Sequence, residues 1–361
     1  MNLSADITPP DKGYLYLSWY DEKFHTMSEK IIADKEQYYT HFRIPKKNGK
    51  FRIIDAPTHE LKVLQKTLLK YFLNNYSPYS IAHGFVEHRS PKTNAECHIK
   101  AKIIVVLDIK DFFPSIKIDR VKRVLEYLIP KKWKRLGCHE VTRQKFIDIL
   151  SELLTYNGCL PQGSPASPAL SNLAVLGMDK VLKKLELLNG CVVTRYADDI
   201  TLSSDYNTTL AQIIPKVTGI INKFGFRVNT KKTRVVKTNK RMMVTGIVVN
   251  TKLNVRKDKR RQLRARLHNL IRDKKTIDQH TYSELRGQIE WIKSLNEIHG
   301  KTLLNSLKQI SIERKGEFLD CTSVPILPLQ ELYPIRKTPG LRKKITKRDA
   351  TLLNGIEPIQ L

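Results

Sequence analysis

The stretch VVTRYADDITLSS (192–204) sets two adjacent aspartates, Asp198 and Asp199, between two short runs with the composition of β-strands. Val192, Val193, Thr194 and Tyr196 lead in; Ile200, Thr201 and Leu202 lead out. β-Branched and aromatic residues favour a pleated strand, whereas aspartate is depleted there and neighbouring carboxylates repel each other. A hairpin with both carboxylates at its tip reconciles the two. A second apolar run, Ile103 to Leu107 in KIIVVLDIKDFFPSI, is too short for a helix and reads as a buried strand ending at Asp108. If these strands are neighbours in one sheet, Asp108 lies beside the pair. Three carboxylates so close stay ionised only with cations, and an all-oxygen set suits magnesium or manganese better than zinc. Two such ions orient a phosphoryl group for in-line displacement. An Asp-Asp pair alone is more often a solvated turn. The strand context, the third aspartate and the charge of the chain weigh against that here.

That charge is +29, from 64 Lys and Arg against 35 Asp and Glu, and it calls for a polyanionic partner, nucleic acid first. An anionic membrane is the competing partner. No apolar run approaches the ~18 residues of a membrane span, and MNLSADITPPDKGYL lacks the basic and apolar segments of a signal peptide. Cys97, Cys138, Cys159, Cys191 and Cys321 are scattered and form no CxxC pair. They fit a reducing cytoplasm and argue against a zinc site or a disulfide framework.

Helical spacing of Leu61, Leu64, Leu68, Leu69 and Phe72 predicts a helix over 60–76. Residues 117–155 read as mainly helical, broken at Pro130. CLPQGSPASPALSNLAVLGMDKVLKKLELL opens as a loop and continues as one helix with Leu170, Leu173, Ala174 and Met178 on a face. A helix over 210–224 and strands in FRVNTKKTRVV and MMVTGIVVN follow. From Val255 the chain reads as a helical lobe, 255–320. Its apolar faces carry Leu263, Leu267, Leu270 and Ile271, then Leu285, Ile289 and Ile292, opposite arginines and lysines. Residues 321–361, rich in Pro, Lys and Arg, read as a loosely structured basic tail.

YADD (196–199), VVLDIKDFFPSI (105–116) and LPQGSPASPALSNL (160–173) resemble the palm motifs of reverse transcriptases. IPKKNGKFRIIDAP (44–57) resembles their fingers strand, and GFRVNTKKTRVV and MMVTGIVVN resemble the motifs that close the palm. The resemblance covers roughly residues 40–250 in order and spacing. NAECH (94–98) and VTG (244–246) are similar to elements of the retron branch. The fold implied is α+β, a right-hand polymerase. Its expected parts are fingers at 20–104 and 117–158, a palm of antiparallel sheet and helices at 105–116 and 159–254, and a thumb at 255–320.

The resemblance implies roles residue by residue. Asp108, Asp198 and Asp199 form the metal-binding triad for two Mg²⁺ (or Mn²⁺), with the Ile109 carbonyl as a further ligand. Phe113 packs under the sugar of the incoming nucleotide and excludes a 2′-hydroxyl by clash, while Phe112 is a core aromatic. Gln162 contacts the nucleotide, and Gly163 lets the backbone approach template and primer. Arg52 clamps the triphosphate with Lys46 or Lys47, although KKNGK alone reads as a solvated turn. Lys232, with Lys231 as competitor, protonates departing pyrophosphate. Asn94 and His98 are candidate RNA contacts, with a hydrogen-bonding structural role as the alternative for His98. Arg260, Arg261 and Arg264 on the basic helix 256–275 are candidates to grip a nucleic-acid backbone.

The retron branch further implies copying of part of a structured non-coding RNA into DNA from dNTPs. Priming from a guanosine 2′-hydroxyl gives a branched RNA–DNA product. An effector protein of an anti-phage defence system and a host RNase H are the implied protein partners, and no membrane is. Three other readings share parts of the pattern: an intron-type maturase or another bacterial reverse transcriptase, an RNA-dependent RNA polymerase, and a non-catalytic RNA-binding scaffold. The length leaves no room for the first one's added domain, Phe113 opposes the second, and the intact triad opposes the third.

Overall fold

Phe24 and Ile31, seven residues apart, turn one face of helix α1 (Glu22–Ala33) onto the core. The computed structural model describes residues 22–46, 49–71, 73, 76–129, 142–205, 209–314 and 317–319. Strands β1 (Tyr39–Pro45) and β2 (Phe51–Pro57) pair antiparallel from Tyr39↔Pro57 to Pro45↔Phe51. This ribbon is exposed along most of its length. Helix α2 (His59–Tyr71) buries Leu61, Leu64 and Leu68 as their spacing predicts; Phe72 lies outside the described residues. Helix α3 (Pro91–Glu96) starts with a reciprocal Ser90–Thr93 capping box and a proline in its first turn.

Strand β3 (Ile103–Asp108) is buried throughout, as a continuous β-branched run requires. Helices α4 (Phe112–Ser115), α5 (Ile118–Leu128) and α6 (Arg143–Leu154) follow; Pro130 lies outside the described residues. The single helix expected after the Pro/Gly/Ser loop is two, α7 (Ser167–Ala174) and α8 (Leu176–Asn189). The break is at buried, β-branched Val175 (φ −111°, ψ 9°), whose N–H bonds the carbonyls of Asn172 and Leu173 in a tight turn.

Strands β4 (Val192–Tyr196) and β5 (Asp199–Ser204) form the expected hairpin, followed by α9 (Thr209–Lys223). FRVNTKKTRVV becomes strand only at β6 (Arg234–Lys237). Residues 229–233 curl instead, with the Lys232 and Thr233 amides both donating to the Asn229 carbonyl. MMVTGIVVN is a tight hairpin, β7 (Met243–Val244) and β8 (Ile247–Val248), turning at Thr245 and Gly246, both with positive φ. The four-stranded antiparallel sheet has the order β4-β5-β3-β6. One face carries Val105 and Leu107 into a core running from Phe24 to Phe226, and Ile104 and Val106 pack on the other with Ala95, Met242 and Val244.

The remaining lobe comprises α10 (Lys257–Arg272), β9 (Ile277–Asp278), α11 (Gln279–Leu295), α12 (Glu297–Leu307), β10 (Ile312–Arg314) and β11 (Glu317–Leu319). Leu263, Leu267, Leu285, Ile289 and Ile292 fill its separate core as expected. Helix α12 and the small sheet β11-β10-β9 add to the two expected helices. A Cβ on Gly300 would lie 2.2 Å from the Lys293 Cα, so α12 crosses α11 at a glycine. The expected basic tail, 321–361, lies outside the described residues. The architecture is α+β, as the sequence implies.

Candidate active site

Strand register assembles the carboxylates. Asp108, the last residue of β3, is the direct partner of Asp199, the first of β5. Tyr196 pairs with Asp199, leaving Ala197 and Asp198 as a two-residue turn, and the Asp198 carbonyl accepts from the Ile109 amide at 2.9 Å. Asn229 holds Asp108 twice: its amide N–H donates to the Asp108 carbonyl at 2.7 Å, and its Nδ2 to Oδ2 at 3.1 Å. Lys232 Nζ donates to Asp108 Oδ1 at 2.5 Å, whereas no contact ties exposed Lys231 to the triad among the described residues. This curl around Asn229 is why the expected strand is cut short.

Burial pushes Asp198 up from the ordinary carboxylate range, and the Asp108 charge adds to that against the lowering by Lys232 and Arg52. Asp199 is pushed up to about 6 by burial and then by the charges of Asp198 and Asp108, with Lys232 and Arg234 opposing. The hydrogen bond to Asp108 raises Lys232 in turn. Among the described residues no three acidic, histidine or cysteine side chains are drawn together tightly enough to close a coordination shell. Within the triad the Lys232 ammonium forms the ion pair with Asp108.

Behind the turn lies a network that motif spacing did not reveal. Arg195 is fully buried and bidentate to Asp179, Nε to Oδ1 at 2.7 Å and Nη2 to Oδ2 at 2.6 Å. Its Nη1 reaches both Asn172 Oδ1 and the Ala197 carbonyl at 3.1 Å. Ala197 has a φ of +56°, unfavourable for an L-residue, so the arginine braces a strained position. The readable signal was an arginine inside an apolar strand, with an aspartate inside an apolar helix.

Phe112 is core, as expected, and Phe113 is half-buried. Arg52 stands exposed on β2 and acts electrostatically on Asp198. Lys46 is exposed at the ribbon's turn; Lys47 lies outside the described residues. The Gln162 carbonyl accepts from the Asp55 amide at 2.8 Å. At Gly163 (φ +137°) a Cβ would sit 2.7 Å from the Asp55 carbonyl oxygen. The structure thus shows a close approach at Gly163 to β2 that demands glycine.

The expected RNA contacts divide. Asn94 and His98 are 1% and 0% exposed, so neither offers a surface to RNA. His98 instead links the hairpin strands, with Nδ1 2.7 Å from Ser203 Oγ and Nε2 2.8 Å from Thr194 Oγ1. Burial pushes its imidazole down to about 3. Arg260 turns inward to His299 of α12, while Arg261 and Arg264 remain exposed on α10.

Residues 44–249 match the model of the family described as "Reverse transcriptase (RNA-dependent DNA polymerase)". The chain is 34% identical over 281 residues to the retron Mx65 reverse transcriptase of Myxococcus xanthus, covering 76% of this chain and 65% of that protein. It is 32% identical over 304 residues to the retron Mx162 reverse transcriptase of the same species, covering 77% and 62%. It is 30% identical over 293 residues to the retron Ec86 reverse transcriptase of Escherichia coli, covering 77% and 88%. The match thus spans just under two thirds of the two Myxococcus proteins and most of the Escherichia one. With Asp108 in register beside Asp198–Asp199 and similarity running through both flanks, the chain belongs to the reverse transcriptases, in their retron branch.

Proposed function

We propose that this chain is an RNA-directed DNA polymerase that copies part of a structured non-coding RNA into DNA, giving a branched RNA–DNA product. The observation that carries this is the register pairing of Asp108 with Asp199 under a turn that carries Asp198, with Lys232 on the same triad. The ribbon and the helices at 117–158 act as fingers, the four-stranded sheet as palm, and the lobe from 255 as thumb. The raised carboxylates, with the Lys232 ammonium paired to Asp108, suit divalent magnesium, held by Asp108, Asp198 and Asp199. Bound there, such ions would activate the attacking hydroxyl and stabilise the leaving pyrophosphate oxygens.

The protein's own groups do the rest. Arg52, exposed on β2 and felt at Asp198, pairs with phosphate oxygens of the incoming nucleotide. Phe113 blocks a 2′-hydroxyl and so selects dNTPs. Lys232, hydrogen-bonded to Asp108, would hold a proton for the departing pyrophosphate. Exposed Arg261 and Arg264 on α10 lie against nucleic-acid backbone. The partners are one cognate RNA with its DNA copy, a host RNase H, and an effector protein of an anti-phage system, all in the cytoplasm.

Asp198→Asn and Asp199→Asn are each expected to lower Mg²⁺-dependent dNTP incorporation on an RNA template by at least about a hundredfold, since each removes a charge from a preorganised cation site. Near-normal incorporation by the folded double variant would overturn polymerase activity in favour of an RNA-binding scaffold.

A further inference from the structure

Loop 80–89 (SIAHGFVEHR) is tied down at several points. Arg89 Nη1 donates to the Ser80 carbonyl at 2.6 Å and also to that of Ala82. The Ile81 carbonyl and His83 amide bond the Arg195 backbone at 2.7 Å each, adding a parallel rung to the outer edge of β4. The Gly84 carbonyl accepts from Asn172 Nδ2 at 2.9 Å. A Cβ on Gly84 would lie 2.5 Å from the Ala197 amide, so the loop is pressed against the catalytic turn.

Residues 81–84 are buried; the chain then turns left-handed at Phe85 (φ +60°) and presents its ring, 46% exposed. A bulky residue is unfavourable in that conformation, and an exposed phenyl adds nothing to the core. Such an outlier, fixed by its surroundings, points to function. The Phe85 ring lies 6.2 Å from that of Phe113, tilted by 51°. Phe112, buried, meets Phe113 edge-on at 5.7 Å. Phe113 thus has one aromatic neighbour in the core and one toward solvent.

We propose that Phe85 is a positioning residue for sugar selection, holding the Phe113 ring from the solvent side in the place where it meets a 2′-hydroxyl. This rests on the reading of Phe113 as the sugar gate. Without Phe85, Phe113 keeps its bulk but gains freedom to swing aside, so the gate loosens without disappearing.

The test compares kcat/KM for dNTP over rNTP in the full-length protein and in Phe85→Ala, Phe85→Tyr, Phe113→Ala and the Phe85/Phe113 double alanine variant. Phe85→Ala should lower the preference about two- to tenfold, the scale of one aromatic pair, and by less than Phe113→Ala. Phe85→Tyr should keep it, and Phe85→Ala should change nothing further once Phe113 is alanine. Phe85→Leu serves with the same lowered preference expected if the alanine variant does not melt cooperatively. An unchanged preference in Phe85→Ala, beside a clear loss in Phe113→Ala, would overturn the inference and leave the gate standing. Losses that multiply in the double variant would overturn it by showing that Phe85 acts independently of Phe113. No loss in Phe113→Ala would bring down the gate reading, and this inference with it.

Discussion

The two longer hairpins of this molecule are built on opposite terms. Of the five residues of β4 and six of β5, only Val192 is exposed, and the pair is braced from several directions. Arg195 is locked to Asp179, His98 ties Thr194 on one strand to Ser203 on the other, and loop 80–89 closes the outer edge. The β1–β2 ribbon is exposed from Thr40 to Pro45 and from Phe51 to Ile53. It is fastened at its base, where the Asp55 amide meets Gln162 and His41 lies between Asp55 and Glu36. Asp198 and Asp199 sit on the braced hairpin, and Arg52 stands exposed on the open one. On the proposed function, the first would hold carboxylates at a fixed separation and the second would meet a nucleotide arriving from solvent.

Removing the brace should show the contrast most strongly. Arg195→Ala leaves Asp179 charged and buried without its partner, and about 3–5 kcal/mol of stability should be lost in denaturant unfolding. Replacing both members with apolar residues of similar volume should restore most of it. A loss below about 1 kcal/mol in the single variant would mean the bracket carries little of the hairpin's stability.

Acid should act on the same hairpin more gradually. His98, pushed down to about 3 by burial, stays neutral in the folded protein while an unfolded histidine titrates near 6.5. Its contribution is therefore complete above pH 6.5 and drains away as pH falls toward 3, because only the unfolded chain takes up the proton. His83, lowered to about 4 by burial, has the same sign. Unfolding midpoints should fall between pH 6.5 and 4, with a shallower slope in His98→Gln; identical slopes would contradict a buried neutral imidazole.

The smallest stability effect is expected on the open ribbon. Arg52→Ala should shift unfolding by less than about 0.5 kcal/mol while raising KM for dNTP about tenfold, through loss of a charge-assisted phosphate contact. A large fall in stability with KM unchanged would make Arg52 a structural residue and erase the contrast.

What could be read in advance follows the same division. Strand composition and spacing led directly to the β4–β5 hairpin, β3 and the Asp triad, because burial and charge leave their mark on residue type. The Asn229 curl did not appear, since its cause is a hydrogen bond to a carboxylate more than a hundred residues earlier. Nor did Arg195–Asp179, where two charges that look misplaced in apolar elements satisfy each other only once the chain is folded. His98 was legible as either an RNA contact or a hydrogen-bonding structural residue, because histidine serves both settings, and the fold gives it the second role. Gly163 was singled out for an approach to template and primer, and its close approach to β2 appears only in the fold.

The separate core of the lobe from 255 to 319 has a thermodynamic consequence. Leu263, Leu285 and Leu307 close on one another, and the cluster shares no fully buried residue with the core that seats the triad. A lobe with its own core is a cooperative unit, so heating should melt it in a step separate from the sheet and the two clusters that flank it. A polyanion that settles on Arg261 and Arg264 binds one unit alone and, by mass action, raises the melting temperature of that step while the other stays put. The calorimetric trace thereby becomes a map of where an RNA sits, read without any measurement of catalysis.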